Sequence, residues 1–281
     1  MIQEQRIYQA YYTKSEPILN YMIDLLALKG NEYILEPCAG DGVFIDPIIS
    51  TNSKVKIDAF ELNTETFRNL LVKYASNASV NVKQIDTLLD IDLTFQCSMG
   101  GKYDAVIANP PYGAWRTTEE RKQLKKRYHG FYAKESYSLF LYRCIEALKI
   151  GGKLVFIIPD TYLNLHRHKD IREYILTHTK IKEIALFPSS YFPDVNFGYA
   201  NLSIIALEKS QSVKNAMNNS FQMIKRFKNV EELGKNANHL SYITLNQKKL
   251  LSTNDFAFLS NHNPKISYCI EQSPLVICAI A

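Results

Sequence analysis

The 281-residue chain has no apolar run long enough to cross a bilayer. It opens Met-Ile-Gln-Glu-Gln-Arg, without the basic and then apolar order of a secretory signal. Both absences point to a cytoplasmic protein with no membrane contact. Cysteine is scarce: Cys38, Cys97, Cys144, Cys269 and Cys278 stand apart, an odd number without paired metal-ligand spacing. Without an export signal, that pattern predicts reduced thiols rather than a disulfide framework. The six histidines form no ligand set, and Leu165-His166-Arg167-His168 reads as a hydrophilic helix start, so no metal site is expected. A GxGxxG turn is missing and no phosphate-binding lysine follows a glycine loop, which disfavours a dinucleotide or a nucleoside triphosphate. Neither an internal repeat nor a carboxylate-lysine nuclease cluster is found.

What is present is an ordinary globular balance, 46% hydrophobic and 22% charged, with net charge +5. The mild excess of cations is compatible with a polyanionic partner but does not require one. The 18 tyrosines suit bases and phosphates as well as half-buried strands. Strand and helix patterns alternate. Residues 14–29 read as a helix with Ser15 as its cap and Gly30 as its stop. Short buried strands are expected at 33–37, 55–62, 80–85, 103–108, 153–158, 181–187 and 200–208. Helices are expected at 43–49, 63–75, 136–149 and 169–176, and residues 116–130 form a polar, basic loop or helix. This order predicts an α/β fold, a Rossmann-like sheet of seven mostly parallel strands with helices on both faces. The last two strands would form a hairpin that makes the terminal one antiparallel.

In such a sheet ligands bind beyond the carboxyl ends of the strands, and four strand ends carry polar features. The first runs into Glu36-Pro37-Cys38-Ala39-Gly40-Asp41-Gly42, where glycines let backbone approach a ligand at a helix start. The second ends in Glu61, a carboxylate that can take both hydroxyls of a ribose. The third ends in Asp86, placed to accept from an adenine amino group. The fourth, Ala105-Val106-Ile107-Ala108, stops at Asn109-Pro110-Pro111-Tyr112. Any one of these could be a cap or a packed turn; their order is the informative feature.

That ordered set resembles the S-adenosylmethionine-dependent amino-methyltransferases, in particular the DNA adenine-N6 methyltransferases of the gamma class found in restriction-modification systems. Tyr12-Thr13 resembles their N-terminal cofactor motif, with Lys14 where a proline is usual. The glycine turn, Glu61 and Asp86 fall where the family binds its cofactor, and Asn109-Pro110-Pro111-Tyr112 matches the catalytic tetrapeptide in full. Tyr191-Phe192-Pro193-Asp194-Val195 resembles the motif that supplies a second aromatic for the target base. The resemblance covers residues 8–209. It implies S-adenosyl-L-methionine bound by Tyr12, Thr13, Glu36, Cys38, Ala39, Gly40, Asp41, Glu61, Leu62, Asp86, Thr87, Asn109 and Pro111. It also implies double-stranded DNA as the partner, with a flipped-out adenine held between Tyr112 and Phe192.

The chemistry agrees with that assignment. An exocyclic amine is a poor nucleophile because its lone pair is delocalised into the ring. Acceptors for both of its hydrogens, the Asn109 side-chain oxygen and the Pro110 carbonyl, would pyramidalise it and return the lone pair. Proline holds its carbonyl in one direction. A general base is not required, since a methylated ammonium loses its proton to water.

Several readings stay open at this point. Arg116, Arg121, Lys122, Lys125, Lys126 and Arg127 either track phosphates or form a solvated helix face with Glu119 and Glu120; the candidate DNA contacts are Arg116, Arg121, Lys125 and Lys126. Phe197 competes with Phe192, and Trp115 is either a loop anchor or a DNA contact. The tetrapeptide also occurs in RNA adenine or guanine methyltransferases and in protein glutamine methyltransferases, and a non-catalytic binding subunit could keep the fold. The short stretch before Glu36 disfavours the glutamine type. The long stretch after Lys209 disfavours a small RNA enzyme. Residues 1–209 are therefore expected to be the catalytic domain. Residues 210–281 are expected to be a linker and the start of a DNA target-recognition region, the rest of it missing or supplied by another chain.

Overall fold

The computed structural model describes residues 15–52, 54–112, 116–132, 134–187, 201–226, 232 and 241–258. The first helix, α1 (Glu16–Leu26), has a proline in its opening turn, where a missing N–H is harmless. It buries Ile18, Tyr21, Met22 and Leu26 as one stripe, and it ends on Ala27 in the left-handed region, short of Gly30. Then follow β1 (Tyr33–Glu36), α2 (Ile45–Thr51), β2 (Lys56–Glu61), α3 (Thr64–Lys73), β3 (Val80–Gln84), α4 (Ile91–Ser98) and β4 (Tyr103–Ala108). Asn63 caps α3 by accepting the Thr66 N–H at 2.9 Å, and Asp90 caps α4 by accepting that of Leu93 at 2.6 Å. The second half comprises α5 (Thr118–Arg127), α6 (Tyr137–Ala147), β5 (Leu148–Pro159), two 3₁₀ turns, α7 (Lys169–His178), β6 (Thr179–Phe187) and β7 (Leu202–Lys209). The described chain closes with α8 (Val213–Met217), β8 (Ser220–Arg226), β9 (Ser241–Asn246), α9 (Gln247–Leu251) and a 3₁₀ turn, Asn254–Phe256.

One sheet runs in the order β3-β2-β1-β4-β5-β7-β6-β8-β9. β3, β2, β1, β4 and β5 are parallel. β7 is inserted antiparallel between β5 and β6, so the expected hairpin is present. The second to sixth residues of β2, the last four of β4, the last six of β5 and the first six of β7 are buried without alternation, as strands covered on both faces must be. α1 packs on β4, β5 and β7, α6 on β5 and α7 on β6.

Three differences from the sequence pattern stand out. Among the described residues the sheet has nine strands, not seven: β8 pairs parallel with β6 and β9 antiparallel with β8, so the sheet continues past Lys209. Without them β6 would expose a row of unpaired backbone groups. Helix α4 has no counterpart among the expected elements. β5 begins at Leu148, before Gly151-Gly152, because Leu148 pairs with Tyr103 ahead of an irregularity in the ladder.

In β2, Asp58 is fully buried and accepts from Tyr33 Oη, Tyr103 Oη, Lys102 Nζ and Asn81 Nδ2 at 2.7–2.9 Å. Burial opposes its charge, but these donors outweigh it and hold the carboxyl below its usual range. Its hydrogen-bonding capacity is used within the fold.

Candidate active site

The strand order reverses between β1 and β4, the place beyond whose carboxyl ends an open α/β sheet binds its ligand in a crevice. Hydrogen bonds tie four strand ends together there. The turn after β1 places the Ala39 N–H on Phe60 O and the Gly42 N–H on Ala39 O, both at 2.8 Å. Gly42 has φ +73, and a Cβ on it would lie 2.6 Å from the Tyr74 hydroxyl, so only glycine fits. Glu61, at the end of β2, accepts the Gly40 N–H at 2.9 Å on one oxygen and the Asn63 N–H at 2.7 Å on the other. Thr87, after β3, donates its hydroxyl to Pro37 O. The Cys38 thiol donates to Asn109 O at 3.5 Å, joining the glycine turn to β4.

The electrostatics of this crevice favour a ligand that brings donors. Glu36 is 2% exposed, and its Oε2 has no hydrogen-bond partner among the described residues. Burial first, and then the nearby Glu61 charge, push its carboxyl well above the usual range. Burial also raises Glu61, although the N–H groups of Asn63, Gly40 and Leu62 oppose it, and burial raises the Cys38 thiol. An orphaned buried carboxyl beside a tight glycine turn suits an ammonium group, and Glu61 keeps unused lone pairs for a diol. These residues fit the amino-acid and ribose ends of S-adenosylmethionine.

Asn109-Pro110-Pro111-Tyr112 leaves β4 as a braced turn. The Tyr112 hydroxyl faces two acceptors, Ile157 O at 2.8 Å and Asn109 Oδ1. Ser136 Oγ donates to Pro111 O at 3.1 Å, and the Tyr137 ring packs edge-on against Tyr112 at 6.5 Å. Tyr112 is only 4% exposed, so stacking on a base would require its ring to be uncovered first.

The other predicted residues divide. Ala39 and Thr87 are buried in the crevice wall, Leu62 and Pro111 are half-buried, and Asp41 is exposed. Asp86 is held bidentate by Arg116, at 2.9 Å and 2.8 Å, so its carboxylate is already engaged where an adenine acceptor was expected. Arg116 is 4% exposed and does not join the solvent-facing cations, contrary to its reading as a DNA contact. Arg127 donates to Asp90 O and Thr94 Oγ1 and is likewise structural. Arg121 is half-buried, and Lys122, Lys125 and Lys126 are exposed. Tyr12, Thr13, Trp115, Tyr191, Phe192 and Phe197 lie outside the described residues.

Two further residues belong to this region. Ser136 reads in sequence only as a helix start, yet it braces Pro111. Asp160 directly follows β5, a strand-end carboxylate like Glu61. Burial lifts its pKa to about 6, against donors from Asn201.

Comparison with known proteins gives the family and the fold. Residues 8–192 match the family Eco57I restriction-modification methylase. The type II methyltransferase M.HincII of Haemophilus influenzae is 28% identical over 180 residues, 62% of this chain and 32% of that protein. M.AccI of Acinetobacter calcoaceticus is 26% identical over 218 residues, 74% of this chain and 38% of that protein. The chain thus spans about a third of the length of these curated relatives. Among solved structures, the type IIG restriction endonuclease BpuSI superposes with a TM-score of 0.64 at 16% identity, covering 85% of this chain and 31% of that one. The M protein of the type I restriction enzyme EcoKI gives 0.56 at 18% identity, covering 76% and 48%. Among the described residues no helix is long and apolar enough to cross a membrane, and no cluster of side chains could hold a metal.

Proposed function

Because the chain belongs to the Eco57I restriction-modification methylase family, we propose that it is the catalytic part of a DNA methyltransferase acting on the N6 amine of adenine within a restriction-modification system. The observation that carries this reading is the Asn109–Tyr112 turn at the β1/β4 switch, braced from Cys38, Ser136 and Ile157. S-adenosylmethionine would supply an electrophilic methyl group on a sulfonium. Glu36 would take its ammonium, the Cys38–Asp41 turn its amino-acid backbone, and Glu61 with Leu62 its ribose. Asp86 and Thr87 would line the adenine, with Pro111 beside the reacting centre, and the family resemblance adds Tyr12 and Thr13 to the cofactor-binding residues.

Asn109 Oδ1 and Pro110 O accept the two hydrogens of the target amine. Held this way the nitrogen would be pyramidal, with its lone pair free for the methyl group that the cofactor would supply. Positive charge develops on that nitrogen, so these acceptors act most strongly in the transition state. The Tyr112 hydroxyl assists. Its single proton goes to Ile157 O, which releases Asn109 Oδ1 for the amine. The proton on the methylated nitrogen leaves to water. Tyr112 would stack on the flipped base, with Phe192 as the second aromatic that the family resemblance implies, and sequence recognition would come from residues beyond 209 or from a second chain.

Base-resolution mapping of DNA from cells expressing the complete gene tests this. The expected product is N6-methyladenine in one sequence context, absent when Asn109→Ala is expressed. N4-methylcytosine, or methylation confined to RNA or protein, would contradict the assignment.

A further inference from the structure

The face of α5 opposite its packed side and the turn His166–His168 enclose a cleft of about 480 Å³. Six cations line it: Arg121, Lys122, Lys125, Lys134, Arg167 and Lys169, with Asp170 as the one carboxylate among its lining residues. Lys122 leans on Glu119 at 3.4 Å and Arg167 on Glu135 at 2.9 Å. Among the described residues, Arg121, Lys125, Lys134 and Lys169 have no carboxylate within 4.0 Å. Like charges gathered in one concavity repel one another, and a polyanion there relieves that repulsion. The cleft also has aromatic surface. Phe131 and Tyr132 are half-buried in its wall, and the Arg167 guanidinium lies 5.5 Å from the Tyr132 ring centre. Cations interleaved with aromatic rings suit a nucleotide chain better than an isolated phosphate.

The cleft is wired to the catalytic turn. Its wall includes Gly130, Phe131, Tyr132 and Lys134, and two residues after Lys134 Ser136 braces Pro111 while Tyr137 packs on Tyr112. Glu135 joins the two regions: one oxygen pairs with Arg167, and the other meets His168 Nε2 at 3.1 Å. His168 Nε2 in turn lies 3.0 Å from Tyr137 Oη. On the far side, Asp255 pairs with His166 at 2.8 Å, and the Phe258 N–H donates to Leu163 O at 3.0 Å.

We propose that this cleft grips the sugar-phosphate backbone of the DNA strand that delivers its base to Asn109. The proposal rests on the DNA methyltransferase reading and assigns a surface which that reading leaves open. It replaces Arg116 and Lys126 as backbone contacts with Lys134, Arg167 and Lys169.

The test is fluorescence anisotropy of a short mixed-sequence DNA duplex, titrated with the full chain across a salt series. The triple variant Arg121→Ala/Lys125→Ala/Lys169→Ala should bind about 10-fold or more weakly at low salt. Its slope of log K against log[salt] should fall by about 2–3, at roughly 0.9 for each phosphate no longer neutralised. Its affinity for S-adenosylmethionine by calorimetry should not change. A control, Lys214→Ala/Lys248→Ala/Lys249→Ala, removes as many exposed charges elsewhere and should change the slope by less than about 1. If the triple variant does not fold, Lys125→Ala and Lys169→Ala alone should each lower the slope by about 1. A wild-type slope in the cleft variants, or an equal loss in the control, would overturn the assignment even if the protein methylates DNA. A wild-type chain that methylates and binds RNA but not DNA would overturn the parent reading, and the DNA strand with it.

Discussion

At the scale of single residues, Tyr112 and Asp160 make separable claims. Tyr112 contributes a buried ring and a hydroxyl shared between Ile157 O and Asn109 Oδ1. Tyr112→Phe keeps the ring; it should cost about 1 kcal/mol of stability and slow single-turnover methyl transfer by roughly 10-fold or less. Tyr112→Ala should cost about 3–5 kcal/mol and slow transfer at least ~10²-fold. Equal rates for the two variants would show that the ring has no part in holding the base. Asp160 has its pKa raised from an ordinary 3.8 to about 6 by burial. The native state therefore holds a proton that the unfolded chain has already lost, so this group lowers stability as pH rises from about 4 to about 6. Asp160→Asn should remove that decline, measured as Tm against pH over this window. A decline of wild-type steepness in the variant would mean another group is responsible. Asn109, Glu61 and Glu36 are legible in the sequence because each ends an apolar strand with a polar residue. Asp160 does the same but follows Pro159 and carries no motif. The Arg116–Asp86 pair is illegible because it joins residues thirty positions apart, with α4 and β4 between them.

At the scale of elements, the informative case is the stretch after Lys209. Its first residues, 211–220, read as a polar linker and the Asn/Lys-rich run that follows as short strand-like pieces such as Leu240–Leu245, yet β8 buries Phe221, Met223 and Ile224 and completes β6. Gln247 is what ties it down. The residue is fully buried. Its amide donates to Leu176 O and Thr179 O at 2.9 Å, while its oxygen accepts from Ile181 N–H at 2.9 Å and Asn219 Nδ2 at 2.7 Å. All its hydrogen-bonding capacity is spent on α7, β6 and the turn before β8. Gln247→Ala strands several buried backbone groups and should cost about 2–4 kcal/mol in chemical denaturation. A loss under about 0.5 kcal/mol, the scale of an ordinary surface change, would show that β8 and β9 are only loosely attached. No local pattern announces this role, since a glutamine is bland in sequence and its partners are 28 to 71 positions away. Helix α4 escapes the sequence pattern for a related reason: it leaves Ile91 and Phe95 exposed, which blurs its amphipathic period.

At the scale of the whole molecule, the alternation of strands and helices carries the architecture, and the order of four strand ends carries the site. The nine-stranded sheet brings those ends to one crevice, where Cys38, Glu61, Thr87 and Asn109 are hydrogen-bonded into a single frame. What the sequence does not convey is which cations share a concavity. Arg121 and Lys125 come from one helix, and Arg167 and Lys169 from a turn and the start of another helix far along the chain. The central claim is that Asn109 acts on the target amine and not on the fold or the cofactor. Single-turnover transfer of a labelled methyl group from S-adenosylmethionine to DNA, comparing wild type with Asn109→Ala, tests it directly. The account predicts a loss of about 10²–10³ in rate, the scale of removing one preorganised transition-state partner, with cofactor affinity held within a few-fold. Methyl transfer by Asn109→Ala at the wild-type rate would contradict it.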